Sequence, residues 1–213
     1  MICLFFFTDP AQKYSLGRIN QKLPYTRKAG NPYQVCMRNW YGTENGKVSA
    51  NVFRKTLRDY PIFDRMKQGD NYVQASQIAD QLLAEAAARA GITEESNPEE
   101  HEELKKKIVP PYDRENFLYK WTRLKENQPS HTLVAHLSVD TYSHIHPVEP
   151  RGISVREAAR LQSFPDAYLF QSNMGNSYRQ IGNAVLPLLS LAIAKAIKKT
   201  LNEKKHKGLQ STD

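Results

Sequence analysis

Apolar residues recur at helical spacing in three stretches of this chain. Between 72 and 90, Ala75, Ile78, Ala79, Leu82 and Ala86 line one side of a predicted helix. Gly91 supplies its stop, because glycine readily takes the left-handed conformation that closes a helix. From 155 to 162, Val155, Ala158, Ala159 and Gln162 share a face with Leu161 beside it, while Arg156 and Arg160 project from another. Ser154, followed three residues on by Glu157, forms a capping box ahead of this helix. Phe164-Pro165-Asp166 ends it, since the residue before a proline is pushed out of the α region. In the third stretch Val185, Leu188, Leu189, Ala192, Ile193, Ala196 and Ile197 follow the i, i+3, i+4, i+7 rule. Pro187 falls in the first turn of that helix, where its missing N–H is harmless, and Lys198 and Lys199 complement the dipole at the far end. Such a helix needs something sizeable to cover its apolar face.

Elsewhere the pattern is shorter or absent. Met1-Ile-Cys-Leu-Phe-Phe-Phe7 reads as one buried strand of a parallel sheet. Residues 8–48 are rich in glycine, proline and asparagine and interleave basic and aromatic side chains, among them Tyr25, Arg27, Tyr33, Arg38 and Trp40. That mixture suits phosphate contacts and base stacking, or a plain surface loop region. Glu94 to Glu103 and then Lys105-Lys-Lys107 read as a solvated helix face or insertion, with the acidic part turned away from any polyanion. The segments 117–124, 129–137 and 142–147 suggest short β-strands.

Length, charge and cysteine content narrow the class. The 213 residues suffice for one ordinary core, or for a small domain plus part of a larger one. A net charge of +8 suits a polyanionic partner, and its distribution is uneven. Residues 1–67 carry twelve Lys/Arg against four acids, 68–130 eight against twelve, and 131–213 ten against six. Cys3 and Cys36 give neither a disulfide framework nor a zinc site, and reduced, cytoplasmic conditions are expected. No stretch reads as long enough to span a bilayer.

Two strings carry more than periodicity: Arg151-Gly-Ile-Ser-Val-Arg-Glu-Ala-Ala-Arg-Leu-Gln-Ser-Phe-Pro-Asp166 and Tyr178-Arg-Gln-Ile-Gly-Asn-Ala-Val-Leu-Pro187. In order and spacing they resemble the last two characteristic motifs of the DNA cytosine-5 methyltransferases. The Pro129-Ser-His-Thr-Leu-Val-Ala-His136 and Ile145-His-Pro147 segments extend that resemblance back to about Trp121. It implies an α/β protein: the C-terminal fragment of a Rossmann-like S-adenosylmethionine-dependent methyltransferase with a small, irregular α+β target-recognition domain. Residues 1–7 are then a residual strand of the catalytic domain, and 8–146 the recognition region with an acidic helical insertion near 72–107. The motifs over 150–200 pack back on the catalytic domain, and 201–213 form a basic disordered tail. The resemblance places Asn183, Ala184 and Val185 against S-adenosylmethionine. It assigns Arg151, Arg156, Glu157, Arg160 and Arg179 to DNA binding or to the domain junction. Double-stranded DNA and a catalytic-half chain are the implied partners, with no membrane. The family usually has Pro-Pro after the valine, where this chain has Leu186-Pro187.

The reaction of that family attacks a flipped cytosine with a cysteine thiolate from a Pro-Cys motif. Cys36 follows Pro32-Tyr-Gln-Val, and Cys3 lies within an apolar run, where a thiol is inert. No Phe-x-Gly-x-Gly or Glu-Asn-Val string occurs, so no catalytic residue is assigned and the isolated chain is expected to be inactive. The alternatives are a non-catalytic DNA-binding remnant and a basic nucleic-acid-binding module whose last helix mediates oligomerisation. His131, His136, His144 and His146 crowd sixteen residues, yet no carboxylate or cysteine completes a ligand spacing. No metal is assigned, and the histidines are expected as surface or core partners.

Overall fold

The structure, a computed structural model, describes residues 19–25, 27–40, 46–54, 56–116, 118, 120–134, 137 and 141–209, without the side chains of 141 and 204–209. The apolar run at 1–7 lies outside these residues, as do Cys3 and His136.

A short hairpin opens the described chain. β1 (Leu23–Pro24) pairs antiparallel with β2 (Lys47–Val48), Leu23 opposite Val48 and Pro24 opposite Lys47. Between them lies α1 (Pro32–Asn39), whose first turn is closed by the Asn31 side chain accepting from Gln34 N. α2 (Tyr60–Arg65) ends before a turn at Gly69, where φ is +94°. α3 (Tyr72–Ala90) starts on an Asn71/Gln74 capping box and stops at Gly91 with φ +67°, the bounds its apolar stripe predicts. α4 (Pro98–Ile108) carries the acidic and triple-lysine segment and buries none of its residues, as a solvated helix should.

The strands expected between 117 and 147 do not form among the described residues. Isolated bridges join Arg123 to Ile145 and Ile145 to Gly152, and a 3-10 turn covers Thr141–Ser143. A side chain does the work of a ladder here. The buried Arg123 guanidinium donates to the carbonyls of Phe63, Met66, Pro147 and Val148, so one residue ties four backbone groups from two segments.

α5 (Val155–Leu161), α6 (Met174–Asn183) and α7 (Pro187–Leu209) complete the chain. α7 thus runs on past residue 201, where a disordered tail was expected. Proline is not what closes α5. Ser163 takes φ +57°, its N–H bonds to Arg160 O, and Phe164 N bonds to Ala159 O, which is a Schellman closure with serine in the left-handed position.

Two cores result. One joins α2 and α3 to the loop through Ile62, Phe63, Tyr72, Ala75, Ala79, Trp121, Tyr142 and Ile145. The other gathers Ile153, Val155, Ala158, Ala159, Phe164, Phe170, Tyr178 and Ile181 around α5 and α6, with Ala50, Leu124 and Leu133. α7 belongs to neither, and its apolar residues from Leu189 to Leu201 lie exposed. By length and composition Met174–Glu203 is long and apolar enough to cross a membrane, contrary to the sequence expectation.

Candidate functional site

The amides at the start of α5 are all used internally. Val155 N bonds to Val52 O, Arg156 N to Ala50 O, and Glu157 N to Ser154 Oγ. The Glu157 carboxylate returns the bond by accepting from Ser154 N at 2.6 Å. It also accepts a two-pronged contact from Arg151, at 2.8 and 2.9 Å. Burial alone pushes this carboxyl up, but the charge and hydrogen bonds of Arg151, with help from His146 and the Ser154 N–H, hold it well below the usual range. Arg151 reaches Glu149 as well, at 2.6 Å, and its guanidinium lies over the Phe53 ring.

Arg156 and Arg160 were expected to project from a face of α5 other than the apolar one, and the structure packs chain against that face too. Arg156 is fully buried and donates to Ser49 O, Pro165 O and Tyr168 O. Burial pushes its pKa down to about 10, with Asp166 working against that shift, so it stays charged at neutral pH. Arg160 forks onto Asp166 at 2.9 and 2.8 Å. Tyr25 donates to the same carboxylate at 2.7 Å, Tyr33 donates to Arg160 O, and Asp166 N bonds to Met37 O. Part of the basic-aromatic stretch before residue 48 therefore packs against the end of α5.

The second motif forms the opposite flank. Tyr178 is buried and donates to Ile153 O at 2.7 Å, fixing α6 to the strand-like segment before α5. Gly182 and Asn183 form the last turn of α6, so Asn183 is not the cap of α7. The helix breaks at Ala184–Leu186 and α7 restarts on Pro187. Leu188 N is capped by Ser163 Oγ at 3.1 Å, which locks this break to the end of α5. Asn183 is exposed, Ala184 half-buried and Val185 65% exposed. The apolar edge continues along α7 with Leu189 at 49%, Ile193 at 49% and Ile197 at 55% exposure.

Arg151 and Glu157 pair at the start of α5, and Arg156 and Arg160 gather around Asp166 at its end, while Arg179 is exposed on α6 and stands apart from both groups. Asn183, Ala184 and Val185 form a separate edge. Sequence reasoning gave no role to Asp166, Ser163, Ser49, Tyr25 or Tyr33, all of which hold this assembly. Asp166 stands in the first motif string itself; the two tyrosines were visible only as part of a basic-aromatic mixture. His131 and His144 stack with ring centres 4.0 Å apart, while His146 borders the Arg151–Glu157 pair, its Nε2 4.0 Å from the Glu157 carboxylate and its Nδ1 accepting from Val148 N and Glu149 N.

Comparison with known proteins gives consistent findings. The family model described as C-5 cytosine-specific DNA methylase matches residues 26–199. A protein of Oceanobacillus iheyensis, provisionally named type II methyltransferase M.OihORF3336P, is 53% identical over 190 residues, which are 89% of this chain and 41% of that protein. The type II methyltransferase M.AgeI of Thalassovita gelatinovora is 49% identical over 92 residues, 43% of this chain and 21% of its own. A provisionally named DNA modification methyltransferase encoded within a prophage of E. coli superposes with a TM-score of 0.49 at 18% identity, covering 85% of this chain and 40% of that one. The chain spans about two fifths of the Oceanobacillus protein and a smaller share of M.AgeI.

Proposed function

The chain belongs to the C-5 cytosine-specific DNA methylase family, and we propose that it supplies the DNA-recognition part and one edge of the cofactor pocket of such an enzyme. Its helix-rich body with a small two-stranded sheet is a fragment of the family's α/β fold. In this reading residues 8–146 form the recognition region and about 150–200 complete the flank of a catalytic domain. The thiolate and most of the cofactor site come from a partner chain.

The observation that carries the reading is the edge running from Asn183 along α7. Its inner side is anchored by Tyr178, Ile181 and the Ser163 cap, while Val185, Leu189, Ile193 and Ile197 stand open. An apolar row of this kind on a soluble surface marks a contact with another protein. The residues also fit the rim of a nucleoside-type pocket. An exposed carboxamide can donate and accept, and the break at Ala184–Leu186 brings backbone to the surface beside an apolar side chain. S-adenosylmethionine, when bound, supplies the methyl group. Asn183 and the backbone at Ala184 and Val185 would orient it from this side. Arg151, Arg156, Glu157 and Arg160 hold the junction between recognition region and flank, with Arg179 free to meet DNA or partner. The substrate is cytosine in double-stranded DNA, within the cytoplasm.

The test is transfer of a tritiated methyl group from S-adenosylmethionine to duplex DNA. Three samples are compared: this chain, the remaining three fifths of the Oceanobacillus protein, and the two mixed. Activity only in the mixture is the expected result. Transfer by this chain alone overturns the reading. No transfer in the mixture, with both parts soluble, favours a non-catalytic remnant or a basic nucleic-acid-binding module.

A further inference from the structure

The β1–β2 hairpin, α1 and the end of the first motif enclose a pocket of about 190 Å³ that none of the preceding roles uses. Four charged side chains line it: Lys22, Arg38, Lys47 and Asp166. The hairpin register explains the lysines. With Leu23 opposite Val48 and Pro24 opposite Lys47, residues 22 and 24 share one face with 47 and 49. Lys22, one residue beyond the ladder, is therefore a diagonal neighbour of Lys47 on that face, at a separation of about 7–8 Å. Both are exposed. Arg38 is held from the other side, its guanidinium 3.9 Å from the centre of the Tyr25 ring and its Nη1 bonded to Arg27 O.

Among the described lining residues the one carboxylate is Asp166, and it already serves another cation. Asp166 is already engaged by both prongs of Arg160 and by the Tyr25 hydroxyl. Behind it sits Arg156, whose hydrogen-bond acceptors are backbone carbonyls and a serine hydroxyl rather than a carboxylate. Like charges converging on a cleft raise its positive potential and draw an anion to it. A volume of this size holds a phosphate with some of its water, at about 30 Å³ for each water molecule.

We infer that this pocket receives a single phosphate of the duplex DNA backbone, gripped by Lys22, Lys47 and Arg38. The inference rests on the DNA-binding reading above and assigns a phosphate contact within it. Such a contact fixes register on the duplex without reading its sequence. Asp166 then has two tasks: it holds Tyr25 under Arg38, and through Arg160 it ties the phosphate grip to α5.

The experiment is a salt titration of duplex DNA binding by fluorescence anisotropy, with the full chain. Lys22→Gln/Arg38→Gln/Lys47→Gln is compared with Lys105→Gln/Lys106→Gln/Lys107→Gln, which removes the same charge from α4, and thermal melting confirms that both fold. One shared phosphate predicts that the slope of log K against log salt falls by about 0.9 in the first variant and stays unchanged in the second. The loss should be the same on duplexes of different sequence. A fall of about 1.8 or more means separate surface contacts and overturns the shared pocket. An unchanged slope, or an equal fall in the α4 control, overturns it too while leaving the functional reading intact. Wild-type chain that does not bind duplex DNA overturns both.

Discussion

Replacing His146 by asparagine should make the protein markedly less sensitive to mild acid. His146 is fully buried, and its Nδ1 accepts two backbone hydrogen bonds, from Val148 N at 3.1 Å and Glu149 N at 2.8 Å. A proton on Nδ1 would face both donors. Burial pushes the pKa down to about 3, with Arg151 and Arg123 adding to the shift and Glu157, at 4.0 Å, opposing it. His144 is lowered to about 3 as well, by burial and by its stack on His131. Both lie well below the ordinary value near 6.5. Between those values the unfolded chain holds the extra proton, so stability is full above about pH 6.5 and falls as pH drops toward 3.

Each histidine then costs about 2 kcal/mol between pH 7 and pH 5, and the pair about 4 kcal/mol, a large part of the 5–15 kcal/mol typical of a domain. Glu157 does not confuse that window. Its depressed carboxyl contributes stability that is lost only as pH falls below the unfolded value near 4.3. His131, lowered by burial, steepens the loss equally in wild type and variant. Asparagine offers its carbonyl oxygen near the place of Nδ1 and does not titrate. Urea unfolding followed through the buried Trp121 should show the pH 7 to pH 5 loss reduced by about 2 kcal/mol in His146→Asn. An undiminished loss in the variant would refute the assignment of buried, neutral His146.

Two further substitutions probe the frame of the site. Arg156→Met leaves the carbonyls of Ser49, Pro165 and Tyr168 buried without their donor and should cost about 3 kcal/mol or more by thermal unfolding. Arg156→Lys should recover only part of that, because an ammonium cannot reproduce the planar fork. Gly69→Ala sets a methyl 2.5 Å from Lys125 Cε, a flexible chain end that can move aside. The backbone at φ +94° cannot relax while Gly69 N stays bonded to Arg123 O, so a loss of about 1–3 kcal/mol in chemical denaturation is expected.

How much of this could be read in advance depended on the range of the interactions. α3 was legible to the residue because its start, stripe and stop are local: an asparagine cap, apolar positions three and four apart, and a glycine. The Ser154/Glu157 box was legible for the same reason. The enclosure of Arg156 was not legible, because periodicity says which residues share a face, not how many faces are covered. Residues 49–52 and 165–168 both close on the Arg156 guanidinium, and neither approach leaves a mark on the α5 sequence. The strands expected after 117 do not form among the described residues, where Arg123 instead ties the segment to the end of α2 and to the Pro147–Val148 turn.

α7 presents the opposite case, a pattern fully legible whose counterpart is not among the described residues. A bilayer and a protein surface could each cover such a row, and its charges decide between them. The midpoint of Pro187–Leu209 is Lys198, with Lys199 beside it and Lys195 one turn earlier. A lysine at the centre of a spanning helix costs about 2.5–3.5 kcal/mol on insertion scales, so the pair near the middle opposes a span over α7 itself. Shifting the span back to include α6 brings in the break at Ala184–Leu186 and the side chains of Tyr178 and Ile181, which are already buried against α5. Lysines along the rim of an apolar row are ordinary at a protein contact, where their stems cover apolar surface and their heads remain in water. The row on α7 therefore fits a protein neighbour, and its continuity with Asn183–Val185 puts that neighbour at the edge assigned to the cofactor.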